Sequence, residues 1–280
     1  MSLHVETLGS GAPLVLLHGW GMHGGVWSDV AQQLAADFCV HVVDLPGHGK
    51  STHPLPQAGE GRGEGCCAQP LTPSPSPACE RGELDAVVAE LSAAFPEPVT
   101  LCGWSLGGQV ALHWAVREPE KVRRLILVAS TPCFAERPDW AFGMESSVLE
   151  KFAAELEANH AATLRRFISL QLRGSENERE LLALLRERLF SRGEPDMAAL
   201  RAGLNILRDA DQREALADIK QPTLVVAGER DKLTPPEASR YMAQTMPTAR
   251  LVEVVGAAHA PFLSHPEIFV EHVIDFLKNN

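Results

Sequence analysis

A serine hydroxyl is a weak nucleophile until a base takes its proton, so a serine set up for covalent chemistry needs a histidine and a carboxylate. One serine here stands out by its neighbours. Gly103-Trp104-Ser105-Leu106-Gly107-Gly108 is a G-x-S-x-G pattern that follows an apolar run at 99–102 and precedes a helix-patterned stretch. Small residues two before and two after the serine permit a sharp strand-to-helix turn. Such a turn presents the hydroxyl at the carboxyl edge of a sheet, above a helix N-terminus. A glycine-rich structural turn is the alternative for the same letters.

The partners are expected downstream in the order serine, acid, histidine. Two acids, Glu229 and Asp231, follow the apolar run at 223–226, and His259 follows the run at 249–255. Asp231 lies 126 residues after Ser105, and His259 28 after Asp231. Glu229 comes before the loop proper and is expected to face a helix or solvent, so Asp231 is the favoured acid. His265 and His272 fall on the last helical pattern, where a solvated or capping role suffices. His18, His23, His48 and His113 would need a different geometry. Acyl transfer also builds a negative oxygen that backbone N–H groups must hold. The expected donors are the amide of Leu106 and that of Trp20, whose flanking glycines in His18-Gly19-Trp20-Gly21 let the backbone approach a substrate. The stretch Asp44-Leu45-Pro46-Gly47-His48-Gly49-Lys50-Ser51 is not a phosphate loop, because position 44 lacks the required glycine. It is expected to be structural.

Elements able to position these groups are visible in the hydropathy pattern. Strand-length apolar runs at 14–17, 40–43, 99–102, 125–128, 223–226 and 249–255 alternate with helical segments such as 109–117 and 266–277. Continuous rather than alternating apolarity fits strands covered on both faces. The prediction is an α/β fold, a mostly parallel doubly wound sheet. From 134 to 220 only helical patterns occur, at 147–159, 161–172, 176–190 and 196–208, which predicts a helical cap between a core of 1–133 and 221–280. The stretch 54–82 differs in kind. Thirteen of its 29 residues are Pro, Gly or Ser, a composition that predicts a disordered surface insertion.

Charge and composition exclude other classes. A net charge of −11 argues against nucleic acid and anionic membranes as partners. No apolar run approaches the roughly 18 residues of a membrane span. The start, Met1-Ser2-Leu3-His4-Val5-Glu6, lacks the pattern of an export signal, so a cytoplasmic location is expected. The six cysteines form no CxxC pair and no zinc spacing with histidine, so no metal or cofactor is expected. Cys39 and Cys102 lie in apolar runs and are expected to be buried thiols.

Taken together, HGWG at 18–21, DLPGHGKS at 44–51, GWSLGG at 103–108, the Asp231 loop and AAHAPFLSHP at 257–266 resemble the α/β-hydrolase superfamily. More narrowly, HGWGMHGGVW at 18–27, TPCF at 131–134, RFISLQ at 166–171 and AAHAPFLSHP resemble the pimeloyl-acyl-carrier-protein methyl ester esterases of biotin synthesis. The similarity runs over nearly the whole chain except 54–82. It implies a serine carboxylesterase with Ser105, Asp231 and His259 as triad and Trp20 and Leu106 as oxyanion donors. It also implies that Phe167 and Gln171 line the acyl-chain site; on pattern alone Phe167 reads as core.

Between 159 and 192, seven arginines stand against four glutamates, a local +3 on an acidic chain. The resemblance implies that such arginines hold an acidic acyl-carrier protein. Arg166 and Arg179 match such positions, Ala162 and Ala183 stand where relatives can carry arginine, and Arg173 and Arg186 are the candidates to compensate. A solvated helix face with i, i+4 ion pairs explains the same count. The chain is expected to act as a monomer. Rival functions are a broad short-chain carboxylesterase without a carrier partner, an acyltransferase, and a non-catalytic receptor on the same scaffold.

Overall fold

The computed structural model describes residues 3–52 and 77–279, with backbone alone at 77–81. A seven-stranded sheet runs in the order β1-β3-β2-β4-β5-β6-β7. Its strands are β1 (His4–Leu8), β2 (Pro13–Leu17), β3 (Cys39–Asp44), β4 (Val99–Trp104), β5 (Val122–Val128), β6 (Thr223–Gly228) and β7 (Ala249–Val254). All six apolar runs are strands. The sequence pattern missed β1, which pairs antiparallel with β3 from His4 opposite Asp44 to Leu8 opposite Val40. As an edge strand with one neighbour it is only half-buried and carries no apolar run. The other pairings are parallel, so the segments after β2, β3, β4, β6 and β7 all leave from one edge.

Helices α1 (Ser28–Leu34), α2 (Pro77–Ala94), α3 (Leu106–Arg117), α8 (Pro236–Thr245), α9 (Pro261–Ser264) and α10 (Pro266–Asn279) cover the sheet. The strands β4 and β6 are buried along their whole length, as two-sided cover requires. Between β5 and β6 run α4 (Ser146–Ala158), α5 (His160–Leu172), α6 (Glu178–Leu189) and α7 (Met197–Asp209), with no strand among them. Each starts and stops within two residues of its sequence pattern. Local capping explains two of these four starts: the side chains of Asn159 and Asp196 accept from the amides of Ala162 and Ala198. Of the composition-biased stretch 54–82, residues up to 76 lie outside the described residues. The backbone at 77–82 is already helical, with Pro77 at the first position, where its missing N–H costs nothing.

Among the described residues no helix is long and apolar enough to cross a membrane. Cys102 and Cys133 are buried free thiols. Cys39, expected to be buried, is only half-buried on the edge-proximal β3, its Sγ 3.5 Å from His41 Nε2.

Candidate active site

Ser105 follows the last residue of β4 and precedes the first of α3, with φ 55° and ψ −118°. A left-handed conformation at a residue with a Cβ costs about 1–3 kcal/mol and persists only where its surroundings over-determine it. They do so here. The Ser105 amide donates to Val128 O at 2.9 Å, and its carbonyl accepts from Ser130 Oγ at 2.8 Å and from the amide of Gly108 at 2.9 Å. The turn is tight enough that a Cβ on Gly103 would strike the carbonyl of Gly107, and one on Gly107 would lie 2.5 Å from Leu17 O.

Asp231 lies three residues past β6 and His259 five past β7. Asp231 Oδ2 sits 2.8 Å from His259 Nδ1, and both side chains are buried. The carboxylate is fixed by three further donors: the amides of Leu233 and Thr234 to Oδ1 at 2.8 and 3.0 Å, and Thr234 Oγ1 to Oδ2 at 2.7 Å. The backbone of His259 is equally constrained. Its N–H donates to Gln171 O of α5 at 3.1 Å, and its carbonyl accepts the indole N–H of Trp104 at 2.7 Å. Trp104 is the residue before Ser105, so one side chain ties the histidine to the serine's turn. His259 Nε2 is buried and has no hydrogen-bond partner among the described residues. In the neutral tautomer that donates Nδ1–H to Asp231, Nε2 is the ring's acceptor. A hydrogen bond from a nucleophile to its base is often long without substrate, and a base waiting for one would show an unbonded nitrogen of this kind.

Glu229 is elsewhere: half-exposed, it accepts the amide of Gly256 at 2.9 Å, steadying the turn that leads to His259. His265 falls at the α9–α10 junction and its carbonyl caps α10 by accepting the amide of Phe269. His113 pairs with Asp85 at 2.8 Å on the other side of α3.

The loop after β2 approaches the same point. A Cβ on Gly19 would lie 3.2 Å from Ser105 Cβ. Leu106 is the first residue of α3, so its N–H has no carbonyl within the helix to bond. Trp20 is buried, its indole N–H donating to Leu200 O of α7 at 2.9 Å and its ring edge-on to Phe152 and Phe167. His18 was set aside by sequence reasoning, yet it braces this loop. The ring joins Gly19 O at 2.8 Å through Nδ1 and accepts the Leu45 amide at 2.9 Å through Nε2. Burial pushes its pKa down to about 3, so the ring stays neutral in this bridging tautomer. The loop at 44–51 is structural, as expected. The fully buried Asp44 carboxylate accepts the amides of Gly24 at 2.6 Å and Lys50 at 2.9 Å, and Arg192 reaches it at 3.1 Å. Burial alone would raise this carboxyl; the Lys50 and Gly24 amides and Arg192 carry it below its ordinary value.

Above the edge, α4, α5 and α7 enclose a cavity of about 390 Å³. Its apolar wall includes Trp20, Phe134, Phe152, Phe167, Leu204 and Leu233, and Lys151, Glu155 and Arg166 stand on its rim. Phe167 thus lines the cavity. Gln171, one turn on, is buried, and its Oε1 has no partner among the described residues.

A family model described as alpha/beta hydrolase fold matches residues 12–266. The chain belongs to the α/β-hydrolase fold family. Within it, the chain is 43% identical over 269 residues to the pimeloyl-[acyl-carrier protein] methyl ester esterase of Nitrosomonas europaea, covering 96% of this chain and 97% of that protein. It is 42% identical over 278 residues to the protein of the same name from Chromobacterium violaceum, covering 99% of both. Among solved structures, an esterase from Exiguobacterium antarcticum superposes with a TM-score of 0.82 over 99% of this chain and 96% of that one, at 22% identity, a likeness of fold. In this α/β hydrolase, sequence reasoning missed Thr234, the His18 brace and the indole of Trp104. The Ser/Thr three residues after the acid was the one signal available for the first.

Proposed function

We propose that this α/β hydrolase cleaves the methyl ester of pimeloyl-acyl-carrier protein with a Ser105–His259–Asp231 triad. The observation that carries the reading is the buried His259, clamped by Asp231 at Nδ1, unbonded at Nε2, and tied through its carbonyl to Trp104, the residue before a serine on a strained turn. The names of relatives about 40% identical over nearly full length support the substrate. Ser105 Oγ attacks the ester carbonyl carbon while His259 Nε2 takes its proton, and Asp231 stabilises the imidazolium. The amides of Trp20 and Leu106 hold the oxyanion. Collapse breaks the bond to the methoxy oxygen, which leaves as methanol with the proton from His259. Water, deprotonated by the same nitrogen, then cleaves the acyl-enzyme and releases a free carboxylate. The cavity walled by Phe167 takes the acyl chain, and the four helices α4–α7 act as the cap over 134–220.

The carrier would meet arginines outside the cavity. Arg192 and Arg188 do not belong to that surface: Arg192 turns inward to Asp44 and Glu6, and Arg188 to Asp29. Arg166 pairs with Glu155 at 2.5 Å on the cavity rim. Arg173, Arg179 and Arg186 are exposed and, among the described residues, make no ion pair, which favours docking over a self-paired helix face.

The test is complementation of a biotin-requiring strain lacking its esterase, with Ser105→Ala as control. Ser105→Ala is expected to fail and to lower methyl ester turnover at least about 10⁴-fold with the fold intact. Charge reversal at Arg173, Arg179 and Arg186 is expected to depress turnover of the carrier-linked ester and spare short free esters. Equal effects on both would favour the broad carboxylesterase.

A further inference from the structure

The end of α5 and the segment joining it to α6 run beside the loop that carries His259, and three hydrogen bonds join the two. His259 N donates to Gln171 O at 3.1 Å, Ala258 N to Ser175 Oγ at 3.2 Å, and Glu176 N to Gly256 O at 3.0 Å. Next to them Arg230, the neighbour of Asp231, donates to Gly174 O at 3.2 Å. Three of these bonds use backbone atoms only on the helical side. The exception is Ser175, a buried residue whose hydroxyl is the one acceptor among the described residues for the Ala258 amide. The chain at 256–259 has left β7 and has no strand partner of its own.

We propose that residues 171–176 form a clamp that sets the position of His259, and that Ser175 is its positioning residue. The inference rests on the functional reading above, because it concerns the base of that mechanism. A base must meet the serine's proton within a few tenths of an ångström, and a misplacement of about 1 Å costs about a hundredfold in rate. Asp231 fixes the ring's tilt through Nδ1, whereas the depth of the whole residue is fixed by its backbone, between the Trp104 indole on one side and the clamp on the other. Ser175 does not line the cavity, so its hydroxyl is expected to act on the reaction through the His259 loop that it holds.

Ser175→Ala removes the acceptor of the Ala258 amide, and Ser175→Thr keeps it. With a short methyl ester as substrate, Ser175→Ala is expected to lower kcat by about tenfold with KM unchanged, and Ser175→Thr to restore most of it. Hydrogen exchange reads the clamp without reference to ester hydrolysis. Exchange at Ala258 and His259 should rise in Ser175→Ala while β7 stays protected. Unchanged exchange at those amides overturns the clamp even if the protein proves not to be an esterase. Wild-type kcat in Ser175→Ala, a change in KM alone, or a loss that Ser175→Thr does not repair likewise overturns it. If wild-type protein hydrolyses no ester while exchange rises as expected, the clamp stands and the functional reading fails.

Discussion

Gly203→Ala isolates the oxyanion loop from the rest of the site. Gly203 lies mid-way along α7, where alanine would ordinarily stabilise a helix by about 0.5–1 kcal/mol. Here a Cβ would lie 2.6 Å from Trp20 Cδ1, 3.1 Å from Trp20 Nε1 and 3.3 Å from Leu106 Cδ2. Apolar atoms rest at about 3.5–4.0 Å, so the indole has to retreat by about 1 Å. It has little freedom to swing aside, held at Nε1 by Leu200 O and edge-on by Phe152 and Phe167. The displacement therefore passes to the backbone of Trp20, whose amide is the proposed oxyanion donor, while the contact with Leu106 pushes on the other one. Overpacking costs about 1–3 kcal/mol, against the helix gain, so net destabilisation is about 2 kcal/mol or less and Tm falls by no more than about 5 °C. Turnover suffers more. Complete loss of one oxyanion donor costs about 10²–10³ in kcat, and a displaced donor is expected to cost about 10–10². Methanol release from a medium-chain methyl ester gives kcat, and a thermal melt on the same preparation gives Tm. A Gly203→Ala protein that melts higher than wild type and keeps kcat within twofold would refute the argument.

Thr234→Val keeps the shape of the loop and removes the hydroxyl that donates to Asp231 Oδ2 at 2.7 Å; kcat should fall about tenfold at constant KM, since hydrogen bonds to charged groups are worth about 1.5–3 kcal/mol. Arg192→Leu leaves the buried Asp44 carboxylate with its amides and no counter-charge, and Tm is expected to drop by about 5–10 °C in a melt at neutral pH. Stability also depends on pH through His18. Its pKa lies below the ordinary 6.5, at about 3, so between those values the unfolded chain binds more protons and stability is lost as pH falls. The lowered pKa of Asp44 adds in the same direction as its own carboxylate protonates. Melts across this window should show Tm falling with acidity, more shallowly in His18→Gln. A flat profile would show that the ring is not held neutral by burial.

The sheet was legible because parallel strands covered on both faces favour apolar residues at successive positions, which is what the runs at 14–17 and 125–128 display. The edge strand β1 was not, because one bare flank weakens that preference. The serine's turn was legible for a related reason: backbone atoms of Gly107 and Leu17 leave no room for a Cβ at 103 or 107, so small residues are imposed there and leave a mark. Gly203 obeys the same rule without being readable. Its obstacle is Trp20, brought in from the far end of the chain, and a lone glycine in a helical pattern reads only as a weak spot. The arginine count between 159 and 192 is legible only in part, for the converse reason. Charge was tallied along one segment, but Arg192 belongs to Asp44 and Glu6 in β3 and β1, and Arg188 to Asp29 in α1.

Part of what α4–α7 and their connections contribute to the site is invisible in principle. Beside side chains such as Phe152 and Phe167 on the cavity wall, they reach it through main-chain carbonyls: Gln171 O for the amide of His259, Gly174 O for Arg230, Arg188 O for the ring of His23, and Leu200 O for the indole of Trp20. A carbonyl is the same whatever side chain it belongs to, so these bonds constrain where the helices lie and hardly at all which residues build their outer faces. The catalytic edge and the exposed arginines are thereby separable. Charge reversal at Arg173, Arg179 and Arg186 leaves each of those carbonyls where it is, and turnover of short esters should stay near wild type as carrier-linked turnover falls. A helix displacement that loosens Gln171 O and Leu200 O together should do the opposite, slowing every ester alike, because base and oxyanion loop lose their supports at once.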